Sequence, residues 1–497
     1  MNALKICVLI NYLLCVLVIL DMIFIRKKKV ERILAWSLFL VIPFVGLFIY
    51  LVLGSGLDQF NKHNIKRLQV SSREYNNHIK TQTQFFTSGN DTKYPDEVKE
   101  MILFNLNNAD SLYSSHNSID YFSDGKSALD SLLNDIQNAK SSIHMQFYIF
   151  ANDKTGNLVR DALIQKAKQG VEVRLLYDAI GSIGTIKFYF RKLKKAGGKV
   201  EEFLPPFLNM PILNFKANYR NHRKICVIDG KIAYTGGFNI RDDHMGQTKK
   251  LSPWRDTTVK IVGSSVSNFQ NIFLSDWRFA TRDKTELKEY FTPKYFPKNT
   301  QIKKVVPMQV IKSGPDSSEE IKACIVKMIV SAKKYVRIQT PYFVPDDTVF
   351  GAIKLALLSG VSVELMIPEK MDHFLVHYAN YSYINDLLPL GLKVYIYKGF
   401  IHSKVVFVDD SVMTLGSCNL DIRSFALNFE TNVVIYSQKE TKKYSKIFDE
   451  DIKNCQIYDI EKSKKKSLFF KMLTSLSRLF SAVLWTKYKK RIMYWFT

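Results

Sequence analysis

Two stretches of this sequence carry the same residues at the same spacing. "NHRKICVIDG" (221–230) and "FIHSKVVFVDD" (400–410) share the frame H-x-K-x-x-x-x-D, which sets His222, Lys224 and Asp229 against His402, Lys404 and Asp409. After six intervening residues each frame reaches a pair of small residues and an asparagine: Gly236, Gly237 and Asn239 in the first copy, Gly416, Ser417 and Asn419 in the second. Imidazole can attack or carry a proton, ammonium supplies fixed positive charge, a carboxamide can donate to an anionic oxygen, and small residues let backbone approach a ligand. Two such sets facing each other would surround a phosphodiester, one imidazole attacking phosphorus and the other protonating the leaving oxygen.

Residues two apart on a strand share a face, so each His-Lys pair is expected to project together from a strand. The aspartates belong to the same catalytic frame, but they stand at odd spacing in the turn-like "DGK" and "DDS", so their expected part is turn chemistry and structural pairing. Asp256 in "WRDTTVKIVG" and Glu430 in "NFETNVVIY" each open an apolar strand downstream, and a carboxylate there would orient a histidine and fix its tautomer. His373 and His377 are four apart, but the H-E-x-x-H glutamate is missing, so they are read as packing or lining a groove. His244, in "GGFNIRDDHMG", is close enough to the first motif to support it, whereas His63, His78, His116 and His144 belong to no constellation. The six cysteines are scattered without C-x-x-C, which suggests neither a disulfide framework nor a zinc site.

The elements that would carry these residues occur twice. In the first half a helical "SALDSLLNDIQNAK" precedes the strand "SSIHMQFYIF", the helix "TGNLVRDALIQKAKQG" and the strand "VEVRLLYD"; in the second, "EEIKACIVKMIVSAK", "KYVRIQTPYF", "TVFGAIKLALLSG" and "VSVELMIP" follow the same order. Strands alternating with helices imply an α/β fold, here two duplicated domains, each a mixed sheet flanked by helices, at 116–290 and 305–460. Residues 291–304 read as the linker between them, and 56–115 as a polar connector with some helix. The first copy also carries an apolar, proline-bearing insertion, "LPPFLNMPILNFKANYR", before its motif.

The chain of 497 residues bears a formal charge of +25, from 71 Lys and Arg against 46 Asp and Glu, which calls for an anionic partner. Charge alone does not choose between nucleic acid and an anionic membrane, but the N-terminus does. Residues 6–25 and 34–53 are apolar runs of about one bilayer span each, separated by Arg26, Lys27, Lys28, Lys29 and Arg32, so 1–55 is expected to form two transmembrane helices. Asn11 and Asp21 are polar intrusions in the first run. The segment 461–497 has no acidic residue after Glu461, and its apolar residues recur at helical spacing: a basic amphipathic tail lying on anionic lipid, with Trp485, Tyr494, Trp495 and Phe496 as anchors.

The duplicated signature H-x-K-x(4)-D-x(6)-G-[GS]-x-N resembles that of the phospholipase D superfamily. With "YDAIGS", "WRDTTVKI", "SGPDS", "PYFVPDD" and "GSCNLDIRSFALNFE", residues 1 to 460 are similar to bacterial cardiolipin synthases; the long basic tail departs from them. The resemblance implies pseudo-two-fold packing of the two domains in a multi-pass enzyme of the cell membrane, without metal or other cofactor. It implies phosphatidyl transfer between two phosphatidylglycerols, with His222 as nucleophile, His402 as acid and then base, and Lys224, Lys404, Asn239 and Asn419 holding phosphate oxygens. A hydrolytic phospholipase D and, less well supported, a membrane-tethered nuclease use the same site. Phosphatidylglycerol and anionic lipids are the expected partners, with no nucleic acid.

Overall fold

The structure, a computed structural model, describes residues 3–25, parts of 33–50, 73–88, 94–185, 187–205, 219–248, 250–283, 285, 287–297, 302 and 304–481. The loop 26–32, much of the connector, the greater part of the apolar insertion, part of the linker and the tail beyond 481, with Trp485, Tyr494, Trp495 and Phe496, lie outside the described residues.

Local signals start and stop the repeated helices. Asp153 caps the helix Lys154–Lys168 by accepting from the backbone N–H of Gly156 (2.9 Å), and Asp346 caps Asp347–Leu358 by accepting from that of Val349 (3.0 Å). Gly170 (φ 84°) and Gly360 (φ 81°) then turn the chain in the left-handed region, where a side chain would be strained, and feed the strands Glu172–Asp178 and Ser362–Pro368. Helix, terminator and following strand thus recur at matching positions.

The sheets repeat as well. Among the described residues the first runs Asn117–Phe122, Thr258–Gly263, Ile232–Gly236, Ile225–Ile228, Ser142–Phe147, Glu172–Asp178 and Lys199–Phe203. The second sheet has the same internal order, Met308–Ser313, Asn428–Ile435, Val412–Gly416, Val405–Val408, Tyr335–Gln339, Ser362–Pro368 and Lys393–Tyr397, extended at its ends by Tyr113–Ser114 and Cys455–Tyr458. In each, three parallel strands adjoin an antiparallel set, the mixed α/β sheet expected from alternating elements.

One hydrophobic cluster belongs to both halves. Ile225, Val227, Val259 and Ile261 of the first sheet pack with Val405, Phe407, Val433 and Ile435 of the second, while the alternate residues Cys226 and Ile228 face the first half's own helices. Each sheet is therefore apolar on two faces, and one of them is buried by the other copy. The segment before the first domain also joins the second: the helix Asp96–Ala109 buries Val98, Met101, Ile102 and Leu106 in the cluster that holds Ile325 and Met328, and Tyr113–Ser114 pairs with Met308–Ser313.

At the N-terminus, Leu4–Phe24 is long and apolar enough to cross a bilayer. The expected second spanning helix is not found among the described residues. Val41–Phe44 forms a turn containing Pro43, with Phe44 at φ 61°, which interrupts the second run. Asn11, a polar residue in the first run, accepts from the backbone N–H of Phe44 at this turn (3.1 Å), so its side chain serves the contact between the runs. Cys15, Met22, Trp36, Leu40 and Tyr50 bury that contact.

Candidate active site

The two histidines are brought together by an exchange of short strands. Arg220–Asn221, immediately before His222, pairs in parallel with Asn428–Phe429, immediately before Glu430. Phe400–Ile401, before His402, pairs in the same way with Trp254–Arg255, before Asp256. The backbone N–H of His222 donates to the Phe429 carbonyl (2.9 Å) and that of His402 to the Arg255 carbonyl (2.6 Å), which seats each histidine beside the acid of the opposite half. His222 and Lys224 themselves precede the strand Ile225–Ile228, as His402 and Lys404 precede Val405–Val408. The expectation that each His-Lys pair sits on the strand is corrected: hydrogen-bonding of residues 221–222 and 400–402 to the other half pulls the chain out of its own sheet before the ladder begins.

Nδ1 of His222 lies 2.9 and 3.0 Å from the Glu430 carboxylate oxygens and 3.1 Å from the Ser417 carbonyl oxygen. All three neighbours accept, so Nδ1 carries the hydrogen and the lone pair is on Nε2. Nδ1 of His402 donates to Oδ2 of Asp256 at 2.7 Å, with the same consequence. Glu430 is held by the Ser417 hydroxyl (2.5 Å) and the Asn428 amide (3.1 Å), Asp256 by the backbone N–H of Thr257 (2.7 Å).

The electrostatics of the two pairs differ. Burial pushes Glu430 up to about 7, opposed by Lys224 and by its hydrogen bonds to Ser417 and Asn428. Burial also pushes Asp256 upward, but His402, His244 and Lys404 outweigh it and hold the carboxyl well below the usual range. Burial and the neighbouring Lys404 lower His402 well below its ordinary value despite Asp256, so the free imidazole is neutral. Lys404 is itself brought down to about 8 by burial, against the pull of Asp256 and Glu430. Nζ of Lys224 donates to the carbonyl oxygen of His222 (2.6 Å), and Lys404 makes the equivalent bond to His402, so each ammonium is tied to its own histidine.

The remaining motif residues divide. The Asn239 amide oxygen accepts from the backbone N–H of Ile149 (3.2 Å) and its nitrogen lies 3.3 Å from Nε2 of His244; the Asn419 amide donates to the Ser424 hydroxyl (3.2 Å). The Asn419 carboxamide NH2 thus uses one of its two hydrogens locally, whereas Nδ1 of His244 accepts from the backbone N–H of Asn239 (3.2 Å). Asp229 (φ 54°) and Asp409 (φ 51°) stand in left-handed turns. Asp229 accepts from the backbone N–H groups of Lys140, Ser141 and Ser142 (2.8, 2.7 and 2.9 Å), and Asp409 from those of Lys333, Lys334 and Tyr335 (2.6, 2.8 and 2.8 Å). Both carboxylates fasten the motif hairpin to the start of the neighbouring antiparallel strand.

Other residues at the site carry weaker sequence signals. His244 lies five residues after Asn239, as Ser424 does after Asn419, and aligning the repeats would have paired them. Its ring is 5.0 Å from that of His402 and 4.2 Å from that of Trp254, and burial lowers it to about 4. His244, Asp256 and His402 converge within 4.8 Å, a donor set of metal-binding type whose central contact is the His402–Asp256 hydrogen bond. Tyr148 sets its ring 4.8 Å from His222 and under the Lys224 ammonium. Asp178, from "YDAIGS", accepts from the backbone N–H of Asn221 (2.8 Å) and so holds the chain entering His222. His373 precedes the helix Phe374–Leu387, with its ring 5.9 Å from that of Tyr342; His377 packs on Tyr378 and Tyr381. His144, buried in the first sheet, accepts from Gln270 (2.7 Å) and stacks on Phe273, a packing role.

Under this site lie two buried ion pairs. Nη1 of Arg223 reaches both oxygens of Asp276 (2.7 and 2.6 Å) with Gln146 on the same carboxylate (2.6 Å). Arg255 reaches Asp451 (2.9 and 3.0 Å), where Gln339 stands in for Gln146 (2.8 Å). The glutamines and aspartates match between halves, but the arginines come from unrelated positions, one after a histidine and one before an acid. The second pair bridges the two copies.

The family model for the PLD-like domain of cardiolipin synthase matches residues 132–277 and 325–452, more than half of the chain and in both copies. The chain belongs to this family. It is 38% identical to a cardiolipin synthase of Oceanobacillus iheyensis over 96% of its own length and 98% of the relative's, and 39% identical to the major cardiolipin synthase ClsA of Bacillus subtilis over 95% and 98%. Among solved structures, phosphatidylserine synthase of Haemophilus influenzae superposes with a TM-score of 0.58 at 17% identity, over 78% of this chain and 97% of that one, a likeness of fold. A duplicated phospholipase D-like fold and a phosphatidyltransferase of the cardiolipin synthase type follow.

Proposed function

We propose that the protein joins two phosphatidylglycerol molecules into cardiolipin and glycerol through a phosphatidyl-histidine intermediate. The observation that carries this reading is the crossed pair of histidines, each donating from Nδ1 to the opposite half's carboxylate, which fixes the tautomer whose Nε2 lone pair can attack or take a proton. Nε2 of His222 attacks the donor phosphorus, the bond to the headgroup glycerol oxygen breaks, and His402 gives that oxygen its proton. His402 then takes the proton from the terminal headgroup hydroxyl of a second phosphatidylglycerol, whose oxygen attacks phosphorus and releases His222. Lys224, Lys404 and the amide N–H groups of Asn239 and Asn419 hold the phosphate oxygens. Asp229 and Asp409 serve the motif by fixing its backbone.

The neutral state of free His402 bears on this order. To act first as an acid it must gain a proton as the anionic phosphate enters, and the reverse assignment, with His402 attacking, is favoured by that one observation. Trapping the phosphorylated histidine and mapping it decides between them: residue 222 supports the order given and residue 402 reverses it.

The membrane setting belongs to the same proposal. The helix Leu4–Phe24 anchors the protein, and the second apolar run, turning back on it, completes a multi-pass arrangement in the cell membrane. Purified protein incubated with labelled phosphatidylglycerol should yield cardiolipin and free glycerol, and His222→Ala and His402→Ala should each abolish both. Phosphatidic acid as the sole lipid product would assign hydrolysis instead.

A further inference from the structure

The tail helix Leu468–Ser481 faces the wrong way for a helix that completes a core. It packs on the helix Phe374–Leu387 through Phe470, whose ring lies 5.3 Å from that of Tyr378 and 5.4 Å from that of Tyr381, and through Arg478, which pairs with Asp386 (2.5 Å) and covers the Tyr383 ring at 4.2 Å. Thr474 and Ser477 are buried on the same side. Residues 470, 474, 477 and 478 define one face at helical spacing.

The other face is apolar and exposed. Leu468, Phe469 and Met472 are 83, 67 and 53% exposed, and Leu476 and Leu479 continue the stripe. An ordinary surface helix turns its apolar side inward and its polar side outward; this one buries two hydroxyls beside Phe470, lays a partly exposed arginine along the seam and presents leucines. Lys464, Lys465, Lys466 and Lys471 flank the stripe, and no acidic residue follows Glu461 in the sequence.

The start of the host helix lies toward the active site, where Asp372 is one of the carboxylates that act on Lys404. Phe374 and Met371 are exposed where the host helix begins, and the rings of Phe374 and Tyr378 lie 4.8 Å apart, so an aromatic row runs from there to Phe470. Asp372 and His373, at the same end, contact Tyr342.

We propose that the tail helix, with Met371 and Phe374, is an in-plane seat on an anionic leaflet that sets the height and tilt of the active site above the lipid. Charge selects the occupant: a lysine-flanked apolar stripe matches anionic headgroups over acyl chain, whereas a second copy would bring the same lysines against each other. The seat places the site's mouth beside the surface from which a lipid headgroup enters. It extends the phosphatidyl-transfer reading, but lipid contact can be measured without turnover.

The test uses the full chain in vesicles of phosphatidylglycerol and phosphatidylcholine containing a diazirine-bearing phosphatidylglycerol. After photolysis, mass spectrometry should place lipid adducts on Leu468, Phe469, Met472 and Leu476, not on Thr474 or Ser477, with adducts on the helix Leu4–Phe24 as the internal positive. Adducts on that first helix and none on the tail would overturn the proposal. So would protein-to-protein cross-links through the tail stripe, which would assign it to a second copy. A Met472→Glu, Leu476→Glu variant should keep its activity on phosphatidylglycerol in detergent micelles and lose at least about tenfold in vesicles. Equal activity in both media, or an equal loss in both, would refute it.

Discussion

Gly237 stands where the second copy has Ser417, and the difference is fixed by the acid behind it. A Cβ on Gly237 would fall 2.0 Å from Oδ1 of Asp256 and 2.8 Å from the carbonyl oxygen of His402. In Gly237→Ala the carboxylate must retreat by about 1.4 Å to reach ordinary contact. That motion stretches the 2.7 Å bond between His402 and Asp256 to about 4 Å, beyond hydrogen-bonding range. A hydrogen bond to a charged group is worth about 1.5–3 kcal/mol, and an acid that no longer fixes its histidine's tautomer costs up to about 10⁴ in rate. Between these bounds kcat should fall by about 10²–10³-fold. Ser417→Ala is the matched control, since it keeps the Cβ and removes the hydroxyl with its 2.5 Å bond to Glu430 and its bonds to the Thr431 backbone; a loss of about tenfold is expected. The assay is glycerol release from labelled phosphatidylglycerol in mixed micelles, with thermal melting to show that both variants fold. Folded Gly237→Ala protein within threefold of the parent would refute the claim that Asp256 orients His402.

Turnover should follow a bell against pH. It falls below about 7 as Glu430 gains a proton and no longer accepts from His222, and above about 8 as Lys404 loses its charge; a flat profile from pH 6 to 9 would contradict this. Stability has the opposite dependence for both groups. Glu430, raised from 4.5 to about 7, contributes stability below 4.5 that is lost as pH rises through 7, and Lys404, lowered from 10.5 to about 8, contributes above 10.5 what is lost as pH falls through 8. Asp276→Ala strands the buried Arg223 guanidinium and should cost about 3–5 kcal/mol in urea unfolding, more than Asp276→Asn. Asp229→Ala removes one acceptor from three backbone N–H groups and should cost about 2–4 kcal/mol while the folded fraction keeps its specific activity. A loss of kcat with no loss of stability would give Asp229 a chemical part instead.

The duplication was legible because helix and strand periodicity is local and recurs in order; the caps Asp153 and Asp346 and the terminators Gly170 and Gly360 stand at matching places in that order. The motif was legible for the same reason, being a spacing along one chain. Which acid serves which histidine was not, since His222–Glu430 and His402–Asp256 cross between copies, and a repeat read along the sequence pairs each histidine equally well with its own half. Arg223 and Arg255 were hidden more deeply. Each guanidinium meets an aspartate that also holds a glutamine, and those partners match between halves, but the arginines arrive from non-equivalent places, one just before a motif strand and one on Trp254–Arg255. The interruption of the second apolar run was masked by hydropathy, which averages over Pro43 and is blind to the turn that follows. The tail's amphipathic pattern was visible, yet which face meets the protein depended on partners more than eighty residues away, such as Asp386 and Tyr383.

Crossing explains why two copies share one chain. A symmetric dimer of single domains would also exchange strands and place two histidines across a phosphodiester, but its histidines would have identical surroundings. Attack at phosphorus and protonation of the leaving oxygen ask for one neutral and one charged imidazole at the same moment. Once the copies are fused, each can diverge. One pair here is Asp256 with Gly237 and His244 beside it, strongly ionised; the other is Glu430 with Ser417 and Asn428, raised by burial to about 7. The shared core and the Arg255–Asp451 pair keep the copies in register while these differences accumulate. The shorter acid requires the glycine, and the longer acid accepts the serine hydroxyl. The [GS] ambiguity in the motif is therefore the visible trace of a division of labour between two histidines that the fold alone would leave equivalent.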